Sequence, residues 1–152
     1  IKYKTLVIIS ILMFTLLISL AEIQHDTKDY SKLDKSLYNI GEWIKENTPK
    51  DTKVHITANQ MEFRAYAERL TTNGPGHNNT HFHELLEMFD PDYLILSYWY
   101  QDANPEWVIN TIQENPERYK PVAIFFIDEQ KKQPGAIIIK INKEIPEKFS
   151  SS

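Results

Sequence analysis

Apolar residues run from Thr5 to Ala21 (TLVIISILMFTLLISLA) without a single charge, and beyond Ala21 they recur at spacings that switch between the helical and the strand period. Seventeen residues at about 1.5 Å each reach roughly 25 Å, a little less than a hydrocarbon core of about 30 Å. The stretch therefore reads as a transmembrane helix over residues 1–21, with Lys2, Tyr3 and Lys4 reaching back to the interface. From Ser31 to Asn47 the residues Leu33, Leu37, Ile40 and Ile44 form the stripe of an amphipathic helix, which Asn47-Thr48-Pro49 ends. Lys53 to Thr57 (KVHIT) alternates as a short strand. A second helix follows Asn59, with Glu62 three residues on as a variant capping box and Phe63, Tyr66, Ala67 and Leu70 at helical spacing. Arg69 to Thr72 overlaps it as a strand.

The run Asn73 to Asn79 (NGPGHNN) contains two of the four glycines and predicts a loop. A helix from about Thr80 carries Phe82, Leu85, Leu86 and Phe89 on one face and stops before Asp90-Pro91. Asp92 to Tyr98 (DYLILSY) is continuously apolar at its centre, as a strand covered on both faces should be. Asn104-Pro105-Glu106 reads as a cap with proline at the first helical position, opening a helix that ends at Asn115-Pro116. Val122 to Ile127 and Ala136 to Ile141 are two strands joined by a polar turn. The expected fold is α/β: a small Rossmann-like, mostly parallel sheet of about five strands, with helices on both faces and a C-terminal hairpin, preceded by one transmembrane helix. The domain boundaries that follow are 1–21 for the helix, 22–142 for an extracytoplasmic α/β domain and 143–152 for a polar tail.

Charge and composition narrow the partners. Lys2 and Lys4 are the only charges before Glu22, which leaves 15 basic against 21 acidic residues and a net charge of −6 for the remainder. An acidic domain lacks the basic footprint that nucleic acid or an anionic lipid surface requires, so no nucleic acid is expected as a partner. With no cysteine, disulfides, thiolate catalysis and Cys-ligated zinc are excluded together. Two lysines precede the apolar stretch and mixed signs follow it, so the positive-inside rule places the domain outside the cytoplasm at the cell membrane. The competing reading, a signal peptide cut after Ser19-Leu20-Ala21, places it outside as well. The chain opens on Ile1 and reads as a piece of a longer one.

Ligands of open α/β sheets bind beyond the carboxyl ends of the strands, which here means the loops at Ala58 to Gln60, Asn73 to Asn79 and Trp99 to Asn104. None carries a glycine-rich phosphate cradle. Tyr98, Trp99 and Tyr100 with Asp102 put flat aromatic faces beside a carboxylate, a combination suited to sugar rings or lipid headgroups, although aromatics leaving a strand also pack beneath their own loop. His77 with Asp102 is the one acid–base pair a hydrolase could draw on. His77, His81, His83 and Glu84 form a metal-like cluster, but only His81 and Glu84 share a helical face, so solvated histidines at a helix start are the stronger reading. Asn78-Asn79-Thr80 is a glycosylation triplet, with meaning outside the cytoplasm.

The segments EWIKENTPKDTKV (Glu42 to Val54), FRAYAERLTT (Phe63 to Thr72), ELLEMFDPDYLIL (Glu84 to Leu96) and FFIDEQKKQPGAIIIKI (Phe125 to Ile141) together resemble the C-terminal extracytoplasmic domain of polytopic membrane glycosyltransferases. These are the enzymes that use polyprenyl-phosphate sugars, the protein mannosyltransferase and aminoarabinose-transferase-like group. The resemblance implies a non-catalytic accessory domain, inactive alone, with the lipid bilayer and the transmembrane part of the same polypeptide as partners and a lipid-linked sugar or its acceptor within reach. It implies no cofactor in this chain and a divalent metal in some full-length members. The acidic catalytic residues of that group lie upstream of the region matched, so none is carried over. The alternative is a secreted or singly membrane-anchored α/β binding domain with no associated catalysis.

Overall fold

Leu37, Ile40 and Ile44 lie on one side of the first helix, α1 (35–47), and in the computed structural model all three are buried to 2% exposure or less. The structure describes residues 35–58, 60–99, 102–127 and 133–146. The chain divides into two units, Ile1–Lys35 and Ser36–Ser152, and the architecture described belongs to the second. Helix α1 stops where the Thr48 hydroxyl turns back to donate to Ile44 O at 2.6 Å, just before Pro49. After it come β1 (Lys53–Ile56), α2 (Gln60–Ala67), β2 (Leu70–Asn73), α3 (Asn79–Phe89), β3 (Tyr93–Ser97), α4 (Glu106–Glu114), β4 (Tyr119–Phe126) and β5 (Pro134–Ile141).

The five strands form one sheet in the order β2-β1-β3-β5-β4. The expected mostly parallel sheet is corrected to a mixed one: β1 runs parallel to β2 and β3, whereas β5 is antiparallel to both β3 and β4. The reason lies in the closing hairpin, whose second strand, not its first, sits beside β3. Ile138 and Ile139 of β5 are covered on both faces, so that strand takes the interior place and β4 the edge. Proline is admissible at an edge, and Pro121 lies in β4 beside a register shift.

The expected transmembrane helix is likewise not supported. No helix among the described residues is long and apolar enough to cross a membrane. The stretch Thr5 to Ala21, which carried that expectation, lies outside the described residues, as do Leu33 and Asn59.

Alternation along β3 sends Leu94 and Leu96 to the face covered by α3 and α4. There they join Phe82, Leu86, Val108, Tyr119, Ile139 and Ile141 in one buried cluster. Tyr93 turns to the opposite face and meets Trp43 of α1 edge-on, with ring centroids 6.4 Å apart. Helices α1 and α2 touch where Gly41 leaves room, since a Cβ there would lie 2.4 Å from Tyr66 Cβ. Leu70, which also fits the helical stripe of α2, is in β2 and half exposed at the sheet edge.

Arg69 ties these parts together. It is 7% exposed, and its guanidinium donates to Lys45 O at 2.8 Å and Thr48 O at 2.7 Å, the last carbonyls of α1. Further bonds run from it to Thr48 Oγ1, Ala67 O and Glu68 O. The positive charge thus sits at the negative end of the α1 dipole, where it is favoured.

On the same edge of the sheet, at the amino end of β3, Asp92 accepts from the Lys53 backbone N–H at 2.8 Å and pairs with Lys143 Nζ at 2.8 Å. Partial burial works to raise the Asp92 carboxyl, and these two hydrogen bonds outweigh it and hold the group below the usual aspartate range. The first residues of the expected tail are therefore fastened to the body, Lys143 by this pair and Ile145 through its carbonyl to Arg118 Nη1.

Candidate functional site

In the order β2-β1-β3 the chain leaves β1 toward one side and returns on the other, which makes the gap between the carboxyl ends of β1 and β3 a topological switch point. Thr57 lies just past the end of β1, Ser97 ends β3, and Asn104 lies on the loop between β3 and α4. The Thr57 hydroxyl accepts from the Ser97 backbone N–H at 2.9 Å and donates to Asn104 Oδ1 at 2.8 Å. Asn104 Nδ2 in turn donates to Ser97 O at 2.6 Å. The three residues close a ring of hydrogen bonds across the crevice, extending the β1–β3 ladder by side chains. The Ser97 hydroxyl itself is buried with no hydrogen-bond partner among the described residues. Asn104 reads in sequence as the cap of α4, but the cap position falls on Pro105 with no side-chain bond, which frees Asn104 for the crevice.

The aromatic loop starts from this ring and divides over the two faces. Tyr98 is half-buried against the α3/α4 cluster, and burial pushes its phenol up. Trp99 is half-buried on the other side, where its Nε1–H donates to Ser36 Oγ of α1 at 3.3 Å. Asp102 is exposed, and Tyr100 lies outside the described residues.

The histidines separate by role. His77 and His81 come together with stacked rings 5.0 Å apart, and the His77 backbone N–H donates to His81 Nδ1 at 3.2 Å. His83 is buried against α4, with Nε2 3.4 Å from the Thr111 hydroxyl, while Glu84 is exposed. A metal needs ligands converging on one point, and among the described residues no group of three or more such side chains does so.

His55 gave no functional signal in the sequence, yet it is fully buried in β1. Its Nε2 lies 2.7 Å from Gly74 O and its Nδ1 3.2 Å from the Thr72 hydroxyl. A ring nitrogen facing a carbonyl must carry the proton, so Nε2–H donates and Nδ1 accepts from Thr72. Burial pushes its imidazole below the usual histidine range, with the Gly74 carbonyl pulling the other way. The bond fixes Gly74, whose φ of 102° starts the loop toward α3. Trp107 of α4 reaches the same loop, donating from Nε1 to Pro75 O at 3.0 Å.

A family model described as a domain of unknown function (DUF6798) matches residues 35–72. That span holds α1, β1, α2 and the first residues of β2, the part of the domain that Arg69 fastens together. No curated protein and no solved structure matches the chain.

Proposed function

We propose that this domain is a non-catalytic accessory domain of a glycosyltransferase that draws its sugar from a polyprenyl-phosphate donor, and that it works outside the cytoplasm by binding the lipid-linked sugar or its acceptor. The observation that carries the non-catalytic part is the closed switch point. Where open α/β folds receive a substrate, the Thr57 hydroxyl, the Asn104 amide and the Ser97 backbone spend their hydrogen bonds on one another. A ligand at that crevice has to break bonds the protein already makes.

The surface beside it supports the binding part. Tyr98 and Trp99, on opposite faces of the sheet, are each held on one side by the body of the domain and keep part of their surface in solvent, and Asp102, further along the same loop, is exposed. Rigid aromatic faces with a hydrogen-bond acceptor alongside suit a sugar. The kind of enzyme served is inferred from the four segments that resemble the glycosyltransferase group. Chemistry then belongs to another part of that enzyme, and with it any divalent metal.

The test has two arms. Purified chain incubated with a polyprenyl-phosphate sugar and an acceptor is expected to release no polyprenyl phosphate. Calorimetric titration of the chain with the same donor is expected to show binding, and Trp99→Phe to raise the Kd by about tenfold, the order of one good contact of roughly 1.4 kcal/mol. Turnover by the chain overturns the non-catalytic reading. An unaltered titration with Trp99→Phe, in a variant that unfolds as cooperatively as the parent, overturns the binding surface.

A further inference from the structure

We infer that Asn78 is a site of N-linked glycosylation. Asn78-Asn79-Thr80 is the one Asn-x-Ser/Thr triplet in the sequence, and it falls on an exposed run from His77 to Thr80. Two glycines with positive φ, Gly74 at 102° and Gly76 at 73°, turn the chain outward just before it. Asn78 itself is extended, with φ −163° and ψ 179°, and caps α3 by accepting the His81 N–H on Oδ1 at 2.9 Å. The amide is planar, so fixing Oδ1 against the helix turns Nδ2, the atom that carries a glycan, away from it. Asn79 is held differently, its Oδ1 accepting from the Thr111 hydroxyl of α4 at 3.2 Å.

In the transfer step Asn78 Nδ2 forms a bond to the anomeric carbon of a sugar carried on a polyprenyl diphosphate. The bond from that carbon to the diphosphate oxygen breaks, the lipid diphosphate leaves, and Nδ2 gives up one proton. The product keeps Oδ1 unchanged and one N–H on Nδ2. The helix cap therefore survives modification, and the glycan stands on the exposed run from His77 to Thr80.

The inference rests on the extracytoplasmic placement proposed above. Full chain isolated from its own cells is digested and the peptide containing Asn78 is examined by mass spectrometry, with protease accessibility of the domain in intact cells measured in parallel. A sugar mass on that peptide is expected, removed by an N-glycan amidase that leaves aspartate at position 78. Asn78→Asp, which retains the cap, and Thr80→Ala, which retains Asn78, are each expected to abolish the added mass, and Thr80→Ser to keep it. An unmodified Asn78 in a protease-accessible domain overturns the inference and leaves the placement standing. A protected domain overturns both, and a sugar mass that persists in Thr80→Ala overturns the assignment to this triplet.

Discussion

Arg69→Met removes a buried cation whose partners are carbonyls and a hydroxyl. The guanidinium makes five hydrogen bonds, of which the two shortest, 2.7 and 2.8 Å, go to the end of α1. Hydrogen bonds to charged groups contribute about 1.5–3 kcal/mol each, so these two alone amount to roughly 3–6 kcal/mol. Returning the guanidinium to water in the unfolded chain gives part of that back, and methionine fills most of the arginine stem's volume. The net loss expected is about 3 kcal/mol, out of a total stability of about 5–15 kcal/mol. Urea unfolding followed by far-UV circular dichroism should show the midpoint falling by about 1.5 M at unchanged slope, taking a slope near 2 kcal/mol/M. Because the partners are dipoles, the loss should be nearly the same at low and at high salt. Arg69→Lys should recover only part of it, since an ammonium cannot reach the end of α1 and the α2–β2 corner at once. A loss below about 1 kcal/mol for Arg69→Met, or a lysine variant as stable as the parent, would refute the reasoning and return the helix end to solvent capping.

Acid should destabilise the domain in two windows. His55 is held below its ordinary value of 6.5, so as pH falls the unfolded chain binds the proton first. Its contribution is complete above 6.5 and is lost as pH drops through the folded value, a slope that His55→Gln should remove in pH-resolved unfolding. Asp92, held below its ordinary 3.8, adds a second loss below that pH, absent in Asp92→Asn. Asn104→Ala removes both side-chain bonds across the crevice and leaves Ser97 O and the Thr57 hydroxyl short of a partner, a cost of about 1–3 kcal/mol. Hydrogen exchange at the Ser97 amide should quicken in that variant. Gly41→Ala puts a methyl 2.4 Å from Tyr66 Cβ and 2.9 Å from the backbone of Ala67, so α1 and α2 must separate. Overpacking of that kind costs about 1–3 kcal/mol, visible as a lower Tm although alanine favours the helix itself.

Helix and strand order was legible in the sequence because each element carries its own period. Leu37, Ile40 and Ile44 declare α1, Phe82 and Leu86 declare α3, and the unbroken apolar centre of β3 declares a strand covered on both sides. Punctuation was legible for the same local reason, as at Pro49 and at Asp90, whose φ of 51° ends α3 before Pro91. The place of the hairpin's second strand was not, because a β5 strand reads the same whether it lies at the edge or between β3 and β4. Its place depends on what β4 and β3 offer it.

The candidate site shows the same division. Tyr98, Trp99 and Asp102 stand out by composition, but Thr57, Ser97 and Asn104 are separated by 40 and 7 residues along the chain and have nothing in common until two strands lie side by side. Asn104 even satisfies a local rule, the helix cap, that the folded chain does not use. Arg69 and His55 are polar residues that a pattern of apolar and polar positions assigns to the solvent side, and only the distant carbonyls of Thr48 and Gly74 make their burial tolerable. Periodicity is a property of one segment and is written in that segment. A hydrogen-bond partner across the fold is a property of two segments, and the tertiary structure alone brings them together.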